Sequence, residues 1–173
     1  MELKVLVAYD TKYGSTAEIA EKIGQVLQDN ELQVEVLPMD RVGDLKRYQA
    51  FVLGSAVYMG QWRKEAAEFL QANVEKLIGQ PVWLFSSGPT GEGDPVELMK
   101  GFRFPEALQP VADRIPPRDI AFFHGELDVK KLSFPEKMIV KGIKAPVGDY
   151  RDWEVIGNWA AAIATDLKKD KPS

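Results

Sequence analysis

A chain of 173 residues that is 45% hydrophobic and 28% charged is long enough to enclose one sizeable core, and a net charge of −4 argues against the broad positive face that nonspecific nucleic-acid binding needs. The absence of cysteine removes disulfides, thiolate metal sites, thiol catalysis and cysteine-ligated iron–sulfur clusters, and a lone histidine removes a histidine-rich metal site, so redox chemistry would need a bound organic cofactor. No apolar run approaches the roughly 20 residues that span a bilayer, and no signal-peptide pattern stands at the N-terminus, where Glu2 and Lys4 flank a strand, so a cytoplasmic protein is expected, with residues 1–173 as a single domain lacking internal repeats.

In chain order, the run Leu3, Val5, Leu6, Val7, Ala8 predicts a strand covered on both faces, and Ile19, Ile23, Val26 and Leu27 recur at helical spacing from Ala17 to an end near Gln28-Asp29-Asn30. Between them lies Thr11-Lys12-Tyr13-Gly14-Ser15-Thr16. Hydroxyls and a glycine at the positive end of a helix let backbone N–H groups close on an anion, and a monophosphate fits that arrangement. On this stretch alone the other reading is a strand-to-helix turn in which Gly14 and Ser15 cap the helix. A Walker loop would need Gly-Lys-Ser/Thr after a longer gap and a dinucleotide fingerprint three spaced glycines; neither is present.

Leu32, Val34 and Val36 alternate as a second strand ending at Pro38, and Tyr48 to Ser55 reads as a third, buried one. Trp62 to Ile78 carries a helical apolar face of Ala66, Phe69, Leu70, Val74 and Leu77. Val82 to Ser86 is a fourth strand; Ser87 to Asp119 is irregular, with a helix from about Glu106 to Asp113. Ile120 to Phe123 is the fifth strand, and Trp153 to Leu167 the last helix, capped by Asp152. Five apolar strands alternating with helices predict a doubly wound α/β fold with a parallel sheet in the order 2-1-3-4-5. Ligands of such sheets lie beyond the carboxyl ends of the strands, which here are the irregular loops after the first, third and fourth.

The first loop resembles the FMN phosphate loop of flavodoxins and flavodoxin-like oxidoreductases, whose usual pattern is Ser/Thr-x-Thr-Gly-x-Thr; Tyr13 stands where the middle Thr is usual. The resemblance implies that Thr11, Lys12, Tyr13, Gly14, Ser15 and Thr16 hold the FMN phosphate. In the loop from Gly54 to Trp62 it implies flavin contact for Ala56, Val57 and Tyr58, with Tyr58 stacked on one ring face. Met59 and Gly60 then form a peptide that flips toward the ring N5. In the loop from Ser86 to Pro95 it implies that Ser87, Gly88, Pro89 and Thr90 line the flavin edge, and because no aromatic lies between Ser86 and Asp94 one ring face is left open. More narrowly, Gly-Ser-Ala-Val-Tyr-Met-Gly-Gln-Trp, Gly125-Glu126-Leu127 and Tyr150-Arg151-Asp152-Trp153 are similar to the quinone-dependent protoporphyrinogen dehydrogenase group of flavodoxin-like proteins.

The insert from Leu127 to Tyr150 is unusual: Phe134, Met138, Ile139 and Ile143 share helical spacing among Lys130, Lys131, Lys137, Lys141 and Lys144. Such a segment would cover an open flavin face, bind an acidic substrate or touch a membrane surface, unless it is a solvated helix packed on the domain. His124, after the fifth strand, reads as structural. The expected function is that of an FMN-binding oxidoreductase acting on a small molecule, quinone or porphyrinogen among them, or with a redox partner. The alternatives are a one-electron carrier, against which the mild acidity argues, and a flavin-free partner-binding domain of the same fold.

Overall fold

Val5, Leu6, Val7 and Ala8 are all fully buried, as a strand covered on both faces requires, and in the computed structural model, which describes residues 3–170, they form the centre of β1 (Lys4–Asp10). Glu2, expected beside that strand, lies outside the described residues. The chain continues through α1 (Ser15–Asp29), β2 (Gln33–Pro38), β3 (Ala50–Tyr58), β4 (Gln61–Trp62), α2 (Lys64–Ala72), α3 (Val74–Leu77) and β5 (Val82–Ser87). It ends with α4 (Pro95–Leu98), α5 (Gln109–Arg114), β6 (Asp119–Phe123), β7 (Glu126–Leu127), α6 (Phe134–Ile143), β8 (Gly148–Asp149) and α7 (Trp153–Lys169).

The main sheet runs β2-β1-β3-β5-β6 with every neighbouring pair parallel. This is the expected order of five strands, with the two-residue β4 added antiparallel to the end of β3. Alternation along β1 sends Val5 and Val7 into one layer with Ile19, Ile23 and Leu27 of α1 and Ile156, Ile163 and Leu167 of α7. Leu6 and Ala8 go into the other, with Leu70, Leu77, Leu108 and Ile115. Helices thus cover both faces, and the loops after β1, β3 and β5 meet at the carboxyl edge where the strand order reverses.

Three boundaries differ from the sequence expectation. The helix expected over 62–78 begins only at Lys64 and breaks at Asn73, whose side-chain amide donates to the Phe69 carbonyl at 2.7 Å. Trp62 belongs to β4, and β3 runs on to Tyr58, so Ala56, Val57 and Tyr58 are strand rather than loop. The turn between β3 and β4 is Met59-Gly60, with φ of 52° and 74°, the two left-handed positions that a two-residue hairpin demands. The helix expected at Glu106 begins as a short 3-10 turn and becomes α5 at Gln109, and Asp94, bonding the Val96 N–H at 2.8 Å, starts the short α4 inside the irregular stretch. At the far end the Asp152 carboxylate caps α7 as expected, accepting from the Glu154 and Val155 N–H groups. The insert is closed at its base by the antiparallel pair β7–β8.

Candidate functional site

The loop after β1 turns into α1 through Gly14, whose φ of 95° is open to glycine at little cost and strains any other residue. The Gly14 N–H donates to the Thr11 hydroxyl oxygen at 3.0 Å, which fixes the turn, and the first bond of the helix runs from the Glu18 N–H to the Gly14 carbonyl. The N–H groups of Ser15, Thr16 and Ala17 therefore leave the positive end of a fifteen-residue helix with no partner inside it. Beneath them the Thr16 hydroxyl, fully buried, shares a 2.9 Å hydrogen bond with the buried Ser87 hydroxyl at the end of β5, tying the first loop to the third.

The other two loops close on the same edge. Ala56 is buried in the sheet opposite Ser87, and Val57 stands against Gly88 so closely that a Cβ on Gly88 would come within 3.2 Å of the Val57 carbonyl oxygen. Pro89 turns its carbonyl away, to the Gly125 N–H at 2.9 Å and to His124 Nδ1 at 3.0 Å, while Nε2 of the same ring faces the Gly93 carbonyl at 2.6 Å. His124 thus staples the loop after β5, in which Thr90 is half-buried. Tyr58 is part-exposed, and burial, the largest influence, raises the pKa of its phenol while Arg63 and Lys12 pull it down, so the ring stays neutral. Met59, 99% exposed, projects from the hairpin tip, and Trp62 does not face this edge: its indole N–H donates to Ser86 Oγ at 2.7 Å and its ring packs on Phe104.

Lys12 joins the loop to the insert. Its Nζ lies 2.9 Å from Glu136 of α6, 5.2 Å from the Tyr13 ring centre and 5.9 Å from that of Tyr58. Lys131 Nζ donates to the Tyr13 carbonyl at 3.3 Å, and Tyr13 and Ser15 line a small hollow with Glu126, Leu127, Lys131 and Leu132 of the insert. Tyr13 therefore faces the insert, with its hydroxyl buried. Arg151, whose side chain is only 5% exposed, donates to the Ser15 carbonyl at 3.2 Å and bonds both carboxylate oxygens of Asp149, at 2.9 and 2.8 Å, with Glu126 at 2.8 Å and Glu18 at 3.5 Å. That contact holds the pKa of the Asp149 carboxyl below its ordinary value, against the opposing effect of burial.

Sequence reasoning missed Asp10 and Arg63. They form an ion pair at 3.1 Å beside Tyr58, one at the end of β1 and the other after β4. The contact, from Arg63 Nε to Asp10 Oδ1, is not aligned as a hydrogen bond, and Arg63 Nε, Asp10 Oδ2 and the Tyr13 hydroxyl are buried polar atoms that lack a hydrogen-bond partner among the described residues. The only early signal was a charge at the end of an otherwise apolar strand. N–H groups without a partner among the described residues, at a helix end behind a left-handed glycine, are what a phosphate group would satisfy, and this donor set fits the phosphate of FMN. A separate open groove of about 650 Å³ runs beside β6, between Val96, Phe122, Val155 and Trp159, and shares no residue with the predicted site.

Comparison with known proteins agrees with this architecture. Over 99% of its length the chain is 23% identical to protoporphyrinogen IX dehydrogenase [quinone] of Escherichia coli strain K12, covering 99% of that protein. Among solved structures, a flavodoxin from the domain Archaea superposes with a TM-score of 0.66 at 16% identity, over 96% of this chain and 99% of that one. Oxidised flavodoxin 2 from Bacillus cereus gives 0.57 at 24% identity, over 95% and 99% of the two chains. The family model of the flavodoxin domain matches residues 6–153, so the chain belongs to the flavodoxin-domain family.

Proposed function

We propose that this protein binds FMN at the carboxyl edge of β1, β3 and β5 and works as an oxidoreductase on a small redox-active molecule. The observation that carries the reading is the start of α1: three N–H groups without a partner among the described residues, behind a left-handed glycine and locked to β5 by the Thr16–Ser87 hydrogen bond. Bound FMN supplies electron and hydride transfer through its ring N5. The chain's own residues do the rest. Ser15, Thr16 and Ala17 present amides to the phosphate, with the Thr11 and Ser15 hydroxyls and Lys12 at its rim. Tyr58, neutral, covers one ring face, and Met59-Gly60 offers a turn peptide to the reactive edge. Gly88, with no side chain, and Thr90 line the opposite edge, and the Asp10–Arg63 pair lies beside Tyr58, where its charges bear on the potential. A porphyrinogen as donor and a quinone as acceptor are the substrate class of this reading, supported by the name of the 23%-identical relative, which carries both words.

The test is optical titration of the purified protein with FMN, followed by photoreduction. Flavin bands that shift on binding at micromolar FMN, and reduction in a single two-electron stage, are expected; two well-resolved one-electron stages would indicate a carrier instead. Gly14→Val should stay folded by circular dichroism and bind FMN on the order of tenfold or more weakly, because a β-branched residue resists a left-handed φ. Undiminished flavin affinity in that variant would overturn the cradle.

A further inference from the structure

We propose that α6 is a docking helix for an anionic phospholipid surface. Its ends are set locally and well: Ser133 and Glu136 form a reciprocal capping box, Pro135 lies in the first turn, and Lys144 closes the helix in the left-handed conformation. Yet none of its ten residues is buried. A helix this short gains little from hydrogen bonding alone and ordinarily owes its stability to an apolar face packed on something. Here that face is bare: Phe134 is 75% exposed, Met138 54%, Ile139 62% and Ile143 69%, with Val147 just beyond. A continuous apolar face of a few hundred Å² on a small protein marks an interaction site rather than ordinary surface.

The charges choose the occupant. Residues 129–147 carry five lysines and one glutamate, a local +4 in a chain of net −4. Glu136 is turned inward to Lys12, and Lys131 reaches the Tyr13 carbonyl. Lys130, Lys137, Lys141 and Lys144 have no acidic partner within ion-pair distance among the described residues. On the helical wheel Lys137, Lys141 and Lys144 flank Phe134 and Met138 on one side, and Ile139 and Ile143 continue the apolar face on the other. A basic border on a convex apolar helix is the arrangement that lies in a bilayer interface, apolar side chains among the acyl chains and ammonium groups at the phosphates. A second copy meeting this face antiparallel about a two-fold axis would set lysines against lysines, which disfavours that self-association. No helix among the described residues is long and apolar enough to cross a membrane, so the contact is peripheral. The insert touches the phosphate loop through Glu136 and Lys131, so docking would hold the candidate site close to the lipid surface.

The full chain, with and without FMN, is to be sedimented with vesicles of phosphatidylcholine alone and of phosphatidylcholine mixed with phosphatidylglycerol. Binding to the mixed vesicles, weakened by salt and unaffected by FMN, is expected, which separates this outcome from any failure of flavin binding. Lys137→Gln/Lys141→Gln/Lys144→Gln should raise the lipid concentration for half-binding on the order of 100-fold. Phe134→Ser/Ile139→Ser/Ile143→Ser should abolish binding while leaving the unfolding midpoint unchanged. Since the chain has no cysteine, Met138→Cys carrying an environment-sensitive fluorophore should shift to the blue on mixed vesicles, and Glu68→Cys on α2 should not. Three results would overturn the proposal: no binding to the mixed vesicles, binding indifferent to both triple variants, or self-association that the serine variant removes.

Discussion

Thr16 and Ser87 stand 71 positions apart, and each has its buried hydroxyl satisfied by the other at 2.9 Å. Such a pair is asymmetric in its energetics. Removing one member leaves the other a buried hydroxyl with no partner, at a cost of about 1–3 kcal/mol, whereas removing both leaves nothing unsatisfied. Thr16→Val should therefore lower stability to urea by about 1–3 kcal/mol, and Thr16→Val/Ser87→Ala should lose clearly less than the two single variants summed. Simple additivity would mean that the hydroxyls do not depend on each other. Both residues were legible as site candidates from their loops, but their bond was not, because no local pattern reports which loops meet. The same limit hid Asp10 and Arg63: each charge reads locally as solvated, and only the fold puts one beside the other and beside Tyr58.

The sheet is held by a contact that periodicity cannot describe. Gly54 on β3 lies beneath the ring of Phe85 on β5, and a Cβ there would come within 2.3–2.4 Å of three ring atoms. Phe85 is fully buried and in contact with Phe123 and Trp159, so the ring has little room to yield. Gly54→Ala should cost about 1–3 kcal/mol by overpacking, measured by urea denaturation, and the smaller side chain of Gly54→Ala/Phe85→Leu should recover part of that loss relative to Phe85→Leu alone. If alanine at 54 is equally costly in both backgrounds, the ring is not what excludes it. Existence and type of the long elements were legible because burial imposes its period on them: β1, α1, β5 and α7 all lie within a few residues of where the apolar pattern puts them. The misplaced start of the helix at Trp62 has a different cause. Its side chain satisfies a helical pattern and a strand pattern alike, and the deciding feature is the Met59-Gly60 turn, which folds Trp62 back on Val57.

At the scale of the whole molecule, propensity, strand order and the position of the loops point to one fold, which is why the architecture was readable while the placement of the insert was not. That placement depends on charge. Arg151 gathers Asp149 and Glu126 from the base of the insert and Glu18 and the Ser15 carbonyl from α1, and Lys12 pairs with Glu136 of α6. The hydrogen bond from Arg151 lowers the pKa of Asp149 from an ordinary value of 3.8, and that from Lys12 lowers Glu136 from 4.5. A carboxyl whose folded pKa is depressed contributes stability above its unfolded pKa and loses it as pH falls through the folded one, so both contacts are intact at neutral pH and are lost only as pH falls below the ordinary carboxyl range. Asp149 is partly open to solvent, so its share is under about 1 kcal/mol, too little to unfold the domain but of the size that frees a segment with few buried contacts. Amide hydrogen exchange should therefore accelerate in α6 and the β7–β8 pair as pH is lowered from 5 to 3, after correction for intrinsic rates, while β1 and β3 stay protected. Arg151→Gln should show the faster exchange already at neutral pH and respond less to acid. Protection that falls in step across insert and sheet would mean that the insert is held by packing and not by these charges.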